Sequence, residues 1–340
     1  MMFLCLLNFV IPGQINGSSM EPPSTAPGEK SAPGRSSRTK SAQALWSDPE
    51  QLTQFGTLEI VSQLIVEGYM TGLHKSPFKG SSIEFVEHRQ YYPGDEIRHI
   101  DWRAYGKTGR YHIKEFEDET NLHCYLLVDA SGSMGYTGAH LAKFDYARFI
   151  AAAFGYLLVR QRDAVGLVTW DTEIKHRLEP STRAAGFRRI CEALGKCQVG
   201  GETSLSGVLE AFVPTMKRRS LVVIVSDGFD HPDHFMKALR QLRHARHEVI
   251  LLQVLAPEEF EFPFHRPTEF RSLESAGQRL LVDPHRLREV YRTQFRDFLA
   301  EIERRSAEIG VDFHRLRVDE PLGQSLGGFL ARRSGRQTVR

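Results

Sequence analysis

From Leu122 onward the chain alternates between short apolar runs and stretches with helical spacing. The runs are Cys124–Val128, Ala164–Trp170, Leu221–Val225 and Val249–Val254; the helical stretches are Phe144–Arg160, Ala184–Leu194, Ser204–Met216 and Pro232–Ala245. A strand exposed on one face alternates polar and apolar residues, whereas a run that stays apolar must be covered on both faces. This order therefore predicts an α/β fold, Rossmann-like, with a mainly parallel central sheet and helices on both faces. After a proline-rich loop (Ala256–Pro267) come strand-like runs at Glu269–Leu273 and Arg279–Val282. A helix is then expected from Pro284 to about Ile309, a strand over Val311–Val318 and a short helix over Pro321–Arg332. No internal repeat is visible.

The sequence before Leu122 is different in style. Gln51–Thr71 has helical apolar spacing and stops at Gly72. Residues 80–118 read as a small β-rich segment of short strands and loops, punctuated by Pro93-Gly94-Asp95, Gly106 and Gly109. Met1–Pro12 is apolar but too short to span a bilayer and has no basic start, so a signal peptide or tether is the weaker reading. Gly13–Ala42 is rich in Ser, Pro, Gly, Lys and Arg and cannot bury enough apolar surface to fold. The expected organisation is a disordered leader over 1–46, a helix and β-rich segment over 47–119 packed on the main domain, an α/β domain over 120–333, and a disordered tail over 334–340.

Charge narrows the classes of partner. A net charge of +2 over 340 residues gives no electrostatic footprint for nucleic acid or an anionic membrane. The four cysteines, Cys5, Cys124, Cys191 and Cys197, form no CxxC pair and have no histidine companions at zinc spacing, which favours reduced thiols in a cytoplasmic protein. The pair His244 and His247 reads as solvated surface.

The run Cys124–Val128 climbs to Asp129 and gives way to Ala-Ser-Gly-Ser-Met-Gly. Ligands of open α/β sheets collect at the carboxyl ends of strands, where Asp129 belongs. In a loop, Ser131 and Ser133 can turn their hydroxyls to the same side as its carboxylate. One acid and two hydroxyls make only part of a hard-cation site. Asp129 and the serines could instead merely form a turn or a helix cap. Two later segments weigh against that: the glycine-rich stretch Gly200-Gly201-Glu202-Thr203-Ser204, and the strand Leu221–Val225 ending in Ser226-Asp227-Gly228.

Taken together, Asp129, Ser131, Ser133, Thr203 and Asp227 resemble the metal-ion-dependent adhesion site of the von Willebrand factor A (vWA) fold. The block before it narrows the resemblance: Glu87-His88-Arg89-Gln90-Tyr91, Pro93-Gly94-Asp95, Arg98-His99-Ile100-Asp101-Trp102 and Lys114-Glu115-Phe116. With this block the chain resembles, from about Gln51 to Arg333, the bacterial family named domain of unknown function 58 (DUF58). The resemblance implies Mg2+ or Mn2+ at the five residues, with Ser131, Ser133 and Thr203 as direct ligands and Asp129 and Asp227 direct or through water. It also implies a protein partner whose carboxylate completes the coordination, and an adaptor or chaperone-like role beside a MoxR-type AAA+ ATPase. Arg89, Asp95, Arg98, Asp101 and Trp102 form either an ion-pair scaffold or a partner-docking block; the Pro-Gly turns favour the scaffold.

An enzyme is the other class. The chain has no GxxxxGK[ST], no GxGxxG after a strand and no GxSxG elbow. A phosphatase using Asp129 as nucleophile would be expected to carry a second acid where Ser131 stands. The alternative retained is a Mg2+-dependent hydrolase on the same site; a structural domain whose site stays empty is the third reading.

Overall fold

The computed structural model describes residues 9–10, 57–73, 88–90, 102–114, 122–274, 278–323, 325 and 327. It divides into two compact units, residues 71–121 and the remainder. In chain order the described elements are β1 (Phe9–Val10), α1 (Leu58–Leu73), β2 (His88–Gln90), α2 (Trp102–Thr108), β3 (His112–Lys114), β4 (His123–Asp129), α3 (Lys143–Arg160), β5 (Ala164–Trp170), β6 (Ile174–Ser181), α4 (Ala184–Lys196), α5 (Leu205–Phe212), β7 (Leu221–Ser226), α6 (Pro232–His244), β8 (Glu248–Leu255), α7 (Pro257–Glu261), β9 (Thr268–Ser272), β10 (Arg279–Val282), α8 (Pro284–Glu308) and β11 (Asp312–Arg317).

The larger unit is a mixed α/β fold around a six-stranded sheet of order β11-β8-β7-β4-β5-β6. Every neighbouring pair is parallel except β5 and β6. Alternate residues of each inner strand serve opposite faces. Leu126, Val128, Leu167, Val223 and Leu252 join one core with α3 and α4 and with Val61, Ile65 and Val66 of α1. Tyr125, Leu127, Val168, Ile224 and Leu251 join the other with α5, α6 and α8. Two covered faces are why the runs are apolar throughout, and each fully buried aliphatic side chain contributes about 1.5–3 kcal/mol. Among the described residues no helix is long and apolar enough to cross a membrane.

The strand order positions the site. From β4 the chain moves to β5 and β6 on one side. It then returns to place β7 on the other side of β4, followed by β8 and β11. The carboxyl ends of β4 and β7 therefore flank the point where winding direction reverses, the crevice in which open α/β sheets bind ligands.

Several expectations change. Ile174–Ser181 forms an antiparallel edge strand that the sequence does not announce, because its residues (IKHRLEPS) lack an apolar run and include a proline. The proline-rich loop contains the short helix α7, and the Ser204–Met216 helix ends at Phe212 before a 3-10 turn. His247 is buried, not solvated: it follows α6, and its Nδ1 accepts from Ser220 N at 3.2 Å. Burial holds its imidazole below the usual range, against that hydrogen bond. Among the described residues Cys124, Cys191 and Cys197 are buried and form no disulfide.

A second, three-stranded sheet has order β1-β9-β10, with antiparallel pairing throughout. Of the expected leader only Phe9 and Val10 are described; residues 1–8 and 11–46, like the tail over 334–340, lie outside the described residues. In the smaller unit β2 pairs antiparallel with β3, Arg89 opposite Ile113. Trp102 opens a helix rather than a loop and is exposed; its ring meets Tyr105 and Tyr111 edge-on. Arg89 lies on β2, whereas Asp95, Arg98 and Asp101 lie outside the described residues.

Candidate functional site

Asp129 is the last residue of β4 and is fully buried. Its Oδ1 accepts from Ser131 N at 2.9 Å, an Asx turn that swings the chain back across the strand end. Its Oδ2 accepts from Ser226 Oγ at 2.6 Å and from Thr203 Oγ1 at 3.4 Å. Ser131 Oγ and Ser133 Oγ are 3.2 Å apart, and both residues are buried. The 3-10 turn Gly132–Gly135 carries Ser133 and leads towards α3.

Thr203 is brought in by backbone pairing between two loops. Gly200 N donates to Ala130 O at 3.0 Å, Gly132 N donates to Gly201 O at 2.8 Å, and Ser204 N donates to Asp171 O at 3.0 Å. Gly201 has φ +79°, a conformation that other residues rarely adopt, so this loop needs its glycine. A Cβ on Gly132 would run into the Leu273 carbonyl and stand 3.1 Å from Gly201 O; the close approach of three segments depends on its absence.

Asp227 follows β7, and its carboxylate is engaged at both oxygens. Oδ1 accepts from Phe229 N at 3.1 Å, and Oδ2 lies 2.8 Å from Lys143 Nζ. Lys143, the first residue of α3, is buried; its ammonium also pairs with Glu259 Oε1 at 2.7 Å and stands 4.4 Å from the Phe229 ring centroid. Glu259 in turn accepts from Ala256 N at 2.7 Å, which seats α7 against the site. Gln253 Nε2 donates to Asp227 O at 3.0 Å. The strand ends of β4, β7 and β8 are thus joined through polar groups closed off from water.

Burial, and then the nearby Asp227, push the Asp129 carboxyl up to about 7, against the donors Ser226 and Ser131. Among the described residues no cationic side chain pairs with Asp129. The donor set (Asp129, Asp227, Ser131, Ser133 and Thr203) is all oxygen, the kind a hard divalent cation takes, and a cation would relieve the like-charge repulsion between the two acids. Among the described residues no three His, Cys, Asp or Glu side chains gather into a metal site; this arrangement has two carboxylates and makes up the number with hydroxyls. The residues therefore fit Mg2+ or Mn2+.

The structure brings Asp129, Ser131, Ser133 and Thr203 together by hydrogen bonds and sets Asp227 beside them. Sequence reasoning missed Lys143, Glu259 and the role of Ser226. Only Ser226 carried a signal, since it adjoins Asp227 at a strand end. Asp145 is in the first turn of α3 and pairs with Arg148 at 2.9 Å.

Comparison with known proteins adds the following. Two curated relatives, uncharacterized proteins Rv1480 of Mycobacterium tuberculosis and Mb1516 of Mycobacterium bovis, are each 27% identical over 290 residues, 84% of this chain and 90% of theirs. Solved structures similar in part include BatB from Bacteroides thetaiotaomicron, 13% identical, covering 63% of this chain and 99% of that one at a TM-score of 0.42. Another is the vWF domain of the type V pili tip protein Mfa5 from Porphyromonas gingivalis, 12% identical, covering 63% and 95% at a TM-score of 0.32. The family described as "Protein of unknown function DUF58" matches residues 87–301, and the chain belongs to that family.

Proposed function

We propose that this chain is a metal-dependent protein-interaction module in which Mg2+ (or Mn2+) at Asp129, Ser131, Ser133, Thr203 and Asp227 binds a carboxylate of a protein partner. The observation that carries this reading is the convergence of these five residues, from three separate segments, on the reversal point between β4 and β7. The bound cation would supply Lewis acidity towards an incoming acid. The chain's own groups limit how far it is neutralised. Three candidate ligands are uncharged hydroxyls, and Asp227 already shares its charge with Lys143.

A MoxR-type AAA+ ATPase as the partner, an adaptor or chaperone-like role, and a cytoplasmic setting are proposed on the family resemblance alone. The alternative, a Mg2+-dependent hydrolase on the same site, shares this donor set and is separated from the first reading by turnover.

Calorimetric titration of Mg2+ and Mn2+ into the protein and into Asp129→Ala tests the reading. Saturable binding in the parent, lost in the variant with an unchanged circular dichroism spectrum, is expected. No binding in the parent, or turnover of generic phosphate or ester substrates that depends on Asp129, would overturn it.

A further inference from the structure

The amino edge of the six-stranded sheet, opposite the strand ends that carry Asp129 and Asp227, holds a row of arginines. Three turns lead a helix into a strand there: α3 to β5, α6 to β8 and α8 to β11. They share one hydrogen-bond pattern. Arg162 N donates to Val159 O and Asp163 N to Leu158 O; Arg246 N donates to Arg243 O and His247 N to Leu242 O; Gly310 N donates to Ala307 O and Val311 N to Ser306 O. Each turn contains a left-handed residue: Arg162 at φ +65°, Arg246 at φ +63° and Gly310 at φ +71°. Only the last is the glycine that this conformation favours, and an arginine is strained in it. A strained residue kept where glycine would serve points to a use for its side chain.

Strand register sets these two arginines in line with two more. Leu221 lies opposite both Glu248 and Cys124, and His123 opposite Ala164, so the residues entering β8, β7, β4 and β5 stand level. Arg246 precedes β8, Arg218 and Arg219 precede β7, and Arg162 precedes β5; all four are exposed. At about 4.8 Å per strand the row runs about 14 Å. The two acids beside it are engaged: Asp163 is buried and accepts from Leu122 N at 3.2 Å, and Glu248 pairs with Arg219 at 3.0 Å. Compensation of the helix dipoles falls to Arg160, Arg243 and His244, in the last turns of α3 and α6, so it does not account for Arg162 and Arg246.

We propose that this edge is a second docking face, where Arg162, Arg218, Arg219 and Arg246 bind an extended acidic segment of a protein partner. About four residues of extended chain cover the row, and acids at alternate positions fall about 7 Å apart on one side. Each carboxylate can take a guanidinium through two parallel hydrogen bonds. The net charge of +2 does not favour nucleic acid. None of the exposed large apolar side chains among the described residues belongs to these turns, so a membrane would find no anchor here. The face needs no cation and stands independently of the metal-dependent reading.

Binding of a fluorescent hexaglutamate peptide to the full chain, without divalent cations, tests this. Saturable binding that weakens with added salt is expected. Arg218→Glu combined with Arg246→Glu should weaken it about tenfold, with an unchanged circular dichroism spectrum, and Asp129→Ala should bind as the parent does. Arg246→Gly should weaken binding while raising the melting temperature, because glycine relieves the left-handed turn; an arginine that only held the turn would lower that temperature when replaced. No binding by the parent would overturn the proposal. So would tighter binding to oligothymidylate or to phosphatidylserine vesicles than to hexaglutamate, binding lost in Asp129→Ala, or binding unchanged in the folded arginine variants.

Discussion

The Lys143 ammonium sits 2.8 Å from Asp227 Oδ2, and neither side chain reaches solvent. Burial opposes charge on Lys143 and on Glu259. At Lys143 burial is outweighed by Asp227 and Glu259, and the ammonium is held above its usual range. At Glu259 burial outweighs the lysine and the carboxyl is pushed up. One cation shared between two buried acids accounts for that difference. Removing one partner of a buried pair costs about 3–5 kcal/mol, because the remaining charge is left without compensation. Lys143→Met is expected to lose that much in chemical denaturation; a loss below about 1 kcal/mol would mean that the triad does not hold the site together.

The raised Asp129 carboxyl gives a pH dependence with a definite sign. Between its ordinary value of 3.8 and about 7 the folded protein binds a proton that the unfolded chain has released. In the absence of a cation, stability from this group is therefore fully present below the ordinary value. It is lost as pH rises to about 7, by up to about 1.4 kcal/mol per pH unit. Denaturation midpoints measured in chelator from pH 4 to 8 should show this fall in the parent and a flatter profile in Asp129→Asn. Parallel profiles would show that Asp129 is ionised throughout.

Gly132 is needed for space rather than for conformational freedom. Gly132→Ala sets a methyl group against the Leu273 carbonyl, where backbone must move to admit it. A cost of about 1–3 kcal/mol is expected, read as a lowered melting temperature. Because Gly132 lies between Ser131 and Ser133, the variant should also bind Mn2+ less tightly than its fold loss alone explains.

The described thiols should be inert. Cys124, Cys191 and Cys197 are buried, and burial, with Glu59 and Glu192 nearby, pushes the Cys191 thiol up to about 12. In a Cys5→Ser background, a disulfide reagent at neutral pH should modify none of the three until denaturant is added. Fast modification under native conditions would place a thiol at the surface.

What the sequence by itself determined is the inner strands of the sheet and the acids at their ends. An apolar run covered on both faces has one common solution, a strand in the middle of a parallel sheet. A polar residue at the end of such a run is held at the ligand-binding edge, so Asp129 and Asp227 were legible as strand-end acids. The glycines around Thr203 signalled a loop that must pass close to something.

Only the tertiary structure decided what surrounds those residues. Lys143 carries no local signal of its role, because its partners lie 84 and 116 residues away. Glu259 sits on a short helix far from β4 in sequence, and the strand Ile174–Ser181 exists because β5 offers it a hydrogen-bonding edge. Local patterns record which face of an element is buried. They do not record which distant charge a buried acid meets, because that depends on strand order, and strand order is set by packing the whole sheet.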